Sequence, residues 1–265
     1  AKPVFADIDS KTLGLTLNSI KKVVTKKTKA IIAVHLGGMP CDILNIRNYA
    51  KTNNIYLIED CSQAHGGSYY KKKLGSFGDL ATFSFCKDKI ISTGGEGGMI
   101  VTNNKKLYTK IAQYKDHGKI FVKQIIFKKE YQYIHNTFGT NYRITEFQSA
   151  LGIIQLKNLD KNINIRNKIS KKIYTISKKY KNLIEIPLYN KNIKNAFYNC
   201  YLIIKIENLK NKYNIFDLIS SLRKAGIQCT IGSCPELYKE KVFLKYLPKN
   251  FYLKNAKKLS NRTLC

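Results

Sequence analysis

Two lysines lie close together in FSFCKDKIISTGGEGG (residues 83–98), where a strand-like aromatic run meets a glycine-rich turn. They are Lys87 and Lys89, and the question is whether either is chemically special. A second candidate, Asp60, closes the apolar run IYLIED (55–60). In an open parallel sheet, ligands bind beyond the carboxyl ends of the strands, so a carboxylate and a lysine from two strand ends can converge on one ligand. Taken alone, the pair reads more readily as a buried ion pair or as two unrelated surface groups.

The neighbouring residues favour a ligand. EDCSQAHGG (59–67) sets Asp60, Ser62, Gln63 and His65 where a loop would line a pocket. TGGEGG (93–98) lets backbone approach a ligand that side chains would block, and it also serves as a tight turn into the next strand. A lysine that can hold an aldehyde and a carboxylate that can keep a ring nitrogen protonated match the needs of pyridoxal phosphate.

The elements that must position these groups alternate. Strands are expected at 3–8, 29–34, 55–60, 80–85 and 97–102, with a hairpin-like stretch at 69–79. Helices are expected at 15–24, 43–53 and 105–118, the last closed by Gly118. Such alternation argues for an α/β fold with a mostly parallel sheet wrapped by helices. Residues 119–140 read as irregular and aromatic-rich. A long helical stretch, 143–180, is broken or bent near Leu159. A strand at 196–206 and a helix at 214–226, stopped by Gly226, indicate a smaller α+β domain. The boundaries expected are 1–164 for the large domain and 165–265 for the small one.

Composition narrows the classes. Of 47 basic residues only five are arginine, in a chain of formal charge +30. Base readout and stacking favour arginine, and the lysines are dispersed, so the excess reads as compositional drift on solvated faces, with no nucleic-acid partner expected. Abundant Lys, Asn and Ile fit an AT-rich genome. A general attraction for anionic ligands is the other reading of the charge. Seven cysteines at irregular spacing, with no CxxC pair, argue against a disulfide framework or a zinc site and for a reducing cytoplasm. No apolar run reaches the roughly 20 residues that cross a bilayer, so no membrane insertion is expected.

Four segments, VHLGGMPCD (34–42), IEDCSQAHGG (58–67), GSFGDLATFSFCKDKIISTGGEGGMIVTN (75–103) and GTNYRITEFQSALGIIQL (139–156), together resemble the DegT/DnrJ/StrS family of sugar aminotransferases. The resemblance runs in order along essentially the whole chain. It implies a fold-type-I pyridoxal-phosphate enzyme that moves an amino group, from L-glutamate, to a nucleotide-linked keto sugar for amino-sugar or surface-polysaccharide synthesis. The family's Schiff-base lysine lies five positions after the Ser of the FSF strand end, which is Lys89; Lys87 falls where the family has a neutral residue. By the same matching, Asp60 pairs with the pyridinium nitrogen, Gln63 lies against the phenolic-oxygen side of the ring, and Ser84 contacts the phosphate. Asn141 reaches the phosphate of a neighbouring subunit's cofactor, which implies a homodimer with shared active sites. Without the resemblance, Asn141 and Arg143 read as helix capping and surface charge. His65 stands open between a pocket wall and substrate contact, and Glu96 is held loosely.

The family carries further sequence at both ends, so the chain reads as an internal fragment, its last residues (NAKKLSNRTLC) stopping inside a helix. Relatives that act as sugar dehydratases carry His in place of the lysine; a non-catalytic regulatory relative is the other alternative. GIQCTIGSCPELYKEKVF (226–243) lies where the family's small domain approaches the substrate.

Overall fold

The computed structural model describes residues 1–119, 134–188, 191–209 and 213–265. Most of the irregular stretch expected at 119–140 lies outside the described residues. The first elements run α1 (Leu17–Lys21), β1 (Ala30–Val34), α2 (Ile43–Thr52), β2 (Tyr56–Asp60), a hairpin of β3 (Ser68–Tyr69) and β4 (Lys72–Lys73), β5 (Leu80–Ser84), β6 (Gly98–Val101) and α3 (Lys105–Lys115). Then follow α4 (Glu146–Lys157), α5 (Leu159–Ser177), β7 (Ile184–Glu185), β8 (Ile193–Lys194), β9 (Leu202–Ile204), α6 (Ile215–Lys224), α7 (Lys241–Leu244), α8 (Lys254–Ser260) and β10 (Thr263–Leu264).

The central sheet has the order β1-β2-β5-β6. β1, β2 and β5 are parallel, and β6 returns antiparallel to β5. The register places Val34 beside Asp60, Asp60 beside Thr82, and Ser84 beside Gly98. One edge therefore gathers the carboxyl ends of three strands and the amino end of the fourth.

Alternation along β1 buries Ile31 and Ala33 on one face, where Ile43, Ile46 and Ala50 of α2 join Leu57, Cys61 and Ala81 in the main core. The α2 residues recur at helical spacing, which is why this segment coils instead of extending. The opposite face of the sheet carries exposed Ile32, Val34, Tyr56 and Ile100. A second core joins Leu159 and Ile163 of α5 to Ile90, Ile91 and Ala196. The expected break near Leu159 falls at Asn158, which ends α4 and starts α5.

Toward the C-terminus, β10, β9 and β7 form an antiparallel sheet. Ile215 and Ile219 of α6 pack with its Ile204 and Leu264. The β4-β3-β8 sheet lies apart from it. No helix among the described residues is long and apolar enough to cross a membrane.

Three expected elements differ. Residues 3–8 form no strand beyond a bridge between Ile8 and Leu15. Phe5 instead packs edge-on against Phe243, 5.1 Å between ring centroids, and Asp7 accepts the Asn255 and Ala256 N–H groups at the start of α8. The strand expected at 196–206 shrinks to β9. Phe197 has φ +47, and the Ala196 and Asn199 N–H groups donate to Gly38 and Gly37 carbonyls, not to a strand. The closing residues do not stop inside a helix: α8 ends at Ser260, and Thr263 and Leu264 pair with Ile203 and Leu202.

Candidate active site

Asp60 is the last residue of β2 and half-buried. Its Oδ1 accepts the Ser62 N–H at 2.9 Å, which turns the chain away from the strand. Oδ2 takes no hydrogen bond among the described residues. Behind it, Glu59 points to the opposite face and is buried with His35, so the two adjacent carboxylates divide into one structural and one available group.

Ser84 ends β5, and its Oγ accepts the Cys86 N–H at 3.3 Å. The chain then loops through Lys89, whose N–H donates to the Cys86 carbonyl. Ile90 and Ile91, both buried beneath α5, anchor the loop. That anchoring separates the two lysines: Lys87 is exposed, whereas the Lys89 side chain is only 16 % exposed. The Lys89 ammonium lies 4.7 Å from the centre of the Tyr198 ring, 3.5 Å from its hydroxyl and 3.6 Å from Asp88 Oδ2. Tyr198 in turn donates its hydroxyl to Asp88. That hydrogen bond, helped by the Cys86 thiol, holds the Asp88 carboxyl down to about 2. Burial and the Asp88 carboxylate push the Tyr198 phenol up.

Sequence reasoning weighed the lysines and missed both of these partners. Asp88 was in plain view between them. Tyr198 had no local signal, since it approaches from 109 residues away.

Gln63 sits on the turn after β2, its side-chain Oε1 accepting the Gly37 N–H at 2.7 Å. In TGGEGG, Gly95 has open space where a side chain would start, so a ligand can reach the backbone there. The loop is tied down by Gln148 of α4, which donates to the Glu96 carbonyl at 2.7 Å.

His65 is buried against Phe83 and Phe85, ring centroids 5.4 and 6.0 Å away, and neither of its nitrogens reaches a partner with hydrogen-bond geometry among the described residues. Burial pulls its pKa down to about 4; the Ser84 backbone opposes this and Lys89 adds to it. It belongs to the wall beneath the lysine loop.

Among the described residues no hydrogen bond or ion pair joins Asn141 to Asp60, Gln63, Ser84 or Lys89. It is exposed and bridges to Asp116, whose carboxylate pairs with Arg143. Neither residue caps α4; Thr145 does, in a capping box with Gln148.

The close grouping of His35, Glu59 and Cys61 has the residue types of a metal site, their ligand atoms lying within 4.8 Å of one another. The lone pairs of His35 and Glu59 are otherwise engaged. Glu59 accepts from His35 and from the Gly75, Phe77 and Gly78 N–H groups, and His35 Nδ1 accepts from the Cys41 N–H. Burial, first, and the nearby Glu59 raise the Cys61 thiol pKa well above its usual range. The cluster holds the fold together.

A strand-end carboxylate with a spare oxygen, an oriented amide, a hydroxyl and a sheltered lysine are thus arrayed along one sheet edge beside open glycine backbone. GDP-perosamine synthase of Escherichia coli O157:H7 is 38 % identical over 203 residues, 77 % of this chain and 52 % of that protein. The X-ray structure of the aminotransferase from Psychrobacter cryohalolentis superposes with TM-score 0.94 at 38 % identity, covering all of this chain and 69 % of that one. An E. coli GDP-4-keto-6-deoxy-D-mannose-3-dehydratase with bound hydrated PLP superposes at TM-score 0.82 and 27 % identity, over 98 % of this chain and 68 % of that one. The chain spans about half the length of the curated relatives it matches. The profile of the DegT/DnrJ/EryC1/StrS aminotransferase family matches residues 1–265, and the chain belongs to that family.

Proposed function

We propose that the protein is a pyridoxal-phosphate-dependent aminotransferase that places an amino group, taken from L-glutamate, on a nucleotide-linked keto sugar in polysaccharide biosynthesis. The observation that carries this reading is the sheltered Lys89 on the loop after β5, set beyond the same sheet edge as Asp60. The residues present fit the cofactor. Asp60 has a carboxylate oxygen without a partner among the described residues, and Gln63, with its oxygen committed to Gly37, faces outward only as a donor.

Pyridoxal phosphate, when bound, supplies an aldehyde for capturing amines and a ring that accepts electrons as a Cα–H bond breaks. In this reading Asp60 holds a proton on the ring nitrogen. Gln63 donates an N–H on the phenolic-oxygen side, and Ser84 offers its hydroxyl to the phosphate. Lys89 Nζ is the covalent anchor and afterwards the general acid–base, moving one proton between two carbons in each half of the reaction. Retention of a lysine here favours transamination over the dehydratase chemistry of relatives that carry His.

The active unit is a homodimer. α4 has no buried residue, yet Phe147, Ile153, Ile154 and Leu156 stand 56–74 % exposed along it. An apolar surface of this kind is characteristic of a protein–protein contact. Asn141, just ahead of α4, would then reach the cofactor phosphate of the second subunit. Residues 1–164 form part of the larger cofactor-binding domain and residues 165–265 part of the smaller one, with the boundary inside α5.

The test is an absorbance spectrum of the full-length protein with pyridoxal phosphate, followed by borohydride reduction and peptide mapping. A lysine-dependent band, trapped on the peptide at Lys89 and lost in Lys89→Ala, is the expected result. No uptake of cofactor, or trapping at Lys87, would overturn the reading.

A further inference from the structure

The Gln63 amide is held at both ends by residues remote in sequence. Oε1 accepts from Gly37, and Nε2 donates to Ser233 Oγ at 3.1 Å. A backbone N–H can only donate, so the Gly37 contact settles which end of the amide is oxygen. One Gln63 N–H then remains uncommitted among the described residues.

Both contacts depend on Tyr201. Its buried ring packs with Leu13, Ile203 and Leu259, and its hydroxyl accepts the Ser233 N–H at 3.3 Å. Gly37 and Gly232 press on opposite edges of that ring. A Cβ on Gly37 would lie 2.7 Å from Tyr201 Cε2, and one on Gly232 would lie 2.6 Å from Cε1. Both glycines also have positive φ, +63° and +90°, where a side chain is strained. Only glycine at both places allows the 36–38 turn and the 232–233 turn to close on one ring. That closure brings a donor and an acceptor to the two ends of one amide.

We propose that Ser233 is a positioning residue for Gln63, and that it latches the 226–236 loop to the cofactor-binding edge of the sheet. The proposal rests on the assignment of Gln63 to the cofactor made above. With Ser233 in place the amide cannot rotate, and its free N–H keeps one direction. Without Ser233 only the Gly37 contact restrains it. The loop that approaches the substrate and the residue that orients the cofactor therefore form one mechanical unit, although 170 residues separate them.

The test uses full-length protein and two readouts. The first is the dissociation constant for pyridoxal phosphate in wild type, Gln63→Ala, Ser233→Ala, Ser233→Thr and the Gln63→Ala/Ser233→Ala double variant. A hydrogen bond of ordinary net strength corresponds to about a two- to tenfold change in affinity. Gln63→Ala is expected at the upper end of that range and Ser233→Ala at the lower end. Ser233→Thr retains the hydroxyl and should restore wild-type binding. The double variant should bind no worse than Gln63→Ala alone, because Ser233 acts only through Gln63. The second readout is hydrogen exchange of cofactor-free protein, in which Ser233→Ala should speed exchange at the Gly37 amide severalfold and leave Ile46 in α2 unchanged. Additive losses in the double variant, or Ser233→Ala with unaltered affinity and unaltered Gly37 exchange, would overturn the proposal. Unchanged affinity in Gln63→Ala would instead remove Gln63 from the cofactor site, a separate failure.

Discussion

The Glu59 carboxylate and the His35 ring meet at 3.0 Å with neither side chain exposed. Because His35 Nδ1 accepts the Cys41 N–H, its proton sits on Nε2 and is donated to Glu59. The same carboxylate accepts from Gly75, Phe77 and Gly78, so one side chain ties β1, β2 and the turn into β5 together. Burial pushes the Glu59 carboxyl up, but His35 and the Gly78 and Gly75 amides outweigh it and hold it below its ordinary 4.5. A depressed carboxyl contributes stability above its unfolded pKa and loses it as pH falls through the folded value.

Glu59→Ala should therefore cost about 1–3 kcal/mol or more, because it leaves buried N–H donors without their acceptor. Urea denaturation at neutral pH measures this. A loss below about 1 kcal/mol would show that water replaces the carboxylate at little cost.

His65 sets a second pH dependence, in a higher window. Its pKa is drawn from 6.5 to about 4 by burial, so the unfolded chain binds the proton more readily between those values. Stability should fall as pH drops from 6.5 toward 4, by about 3 kcal/mol at most. His65→Phe, which fills the same aromatic wall, should flatten that slope. An unchanged slope in denaturation curves taken from pH 7 to 4 would mean that another group carries the effect.

The two lysines of the opening motif should separate cleanly. Lys89→Ala is expected to lower transamination by about 100-fold or more, the scale of lost general acid–base and covalent catalysis. Lys87→Ala should stay within about twofold, as an exposed surface charge would. Steady-state assay of both variants with a nucleotide-linked keto sugar decides the matter.

Association through α4 can be tested without substrate. Phe147→Glu or Ile154→Glu places a charge on the apolar face, where a partner would have to bury it. Sedimentation velocity should show the wild type as a dimer and either variant as a monomer at micromolar concentration. A dimer that survives both changes would place the interface elsewhere.

Much of the architecture was legible along the chain. Short apolar runs and helical spacing marked β1, β2, β5, β6, α2, α3 and α6, because burial of one face imposes its period on neighbouring residues. The break between α4 and α5 was visible for the same reason. The misreadings share a cause. PVFADI has the composition of a strand, yet no neighbouring strand continues its pairing beyond one bridge; Phe5 and Asp7 serve α7 and α8 instead. AFYNCYLIIKI reads as one strand, but its first half spends its backbone N–H groups on the 37–38 turn.

By itself, then, the sequence determined the α/β alternation, the placement of Asp60 and Ser84 at strand ends with Lys89 on the loop that follows, and the family. The alternation and the strand ends follow from local composition and order, the family from the resemblance of four motif segments. Only the tertiary structure decided that Glu59 turns inward while Asp60 keeps a free oxygen, that Lys89 is sheltered beside Tyr198 while Lys87 is not, and that Ser233 reaches Gln63. These are contacts between residues from 24 to 170 positions apart. Such contacts leave no period in the chain, because they arise from the packing of finished elements and not from the pattern within any one of them.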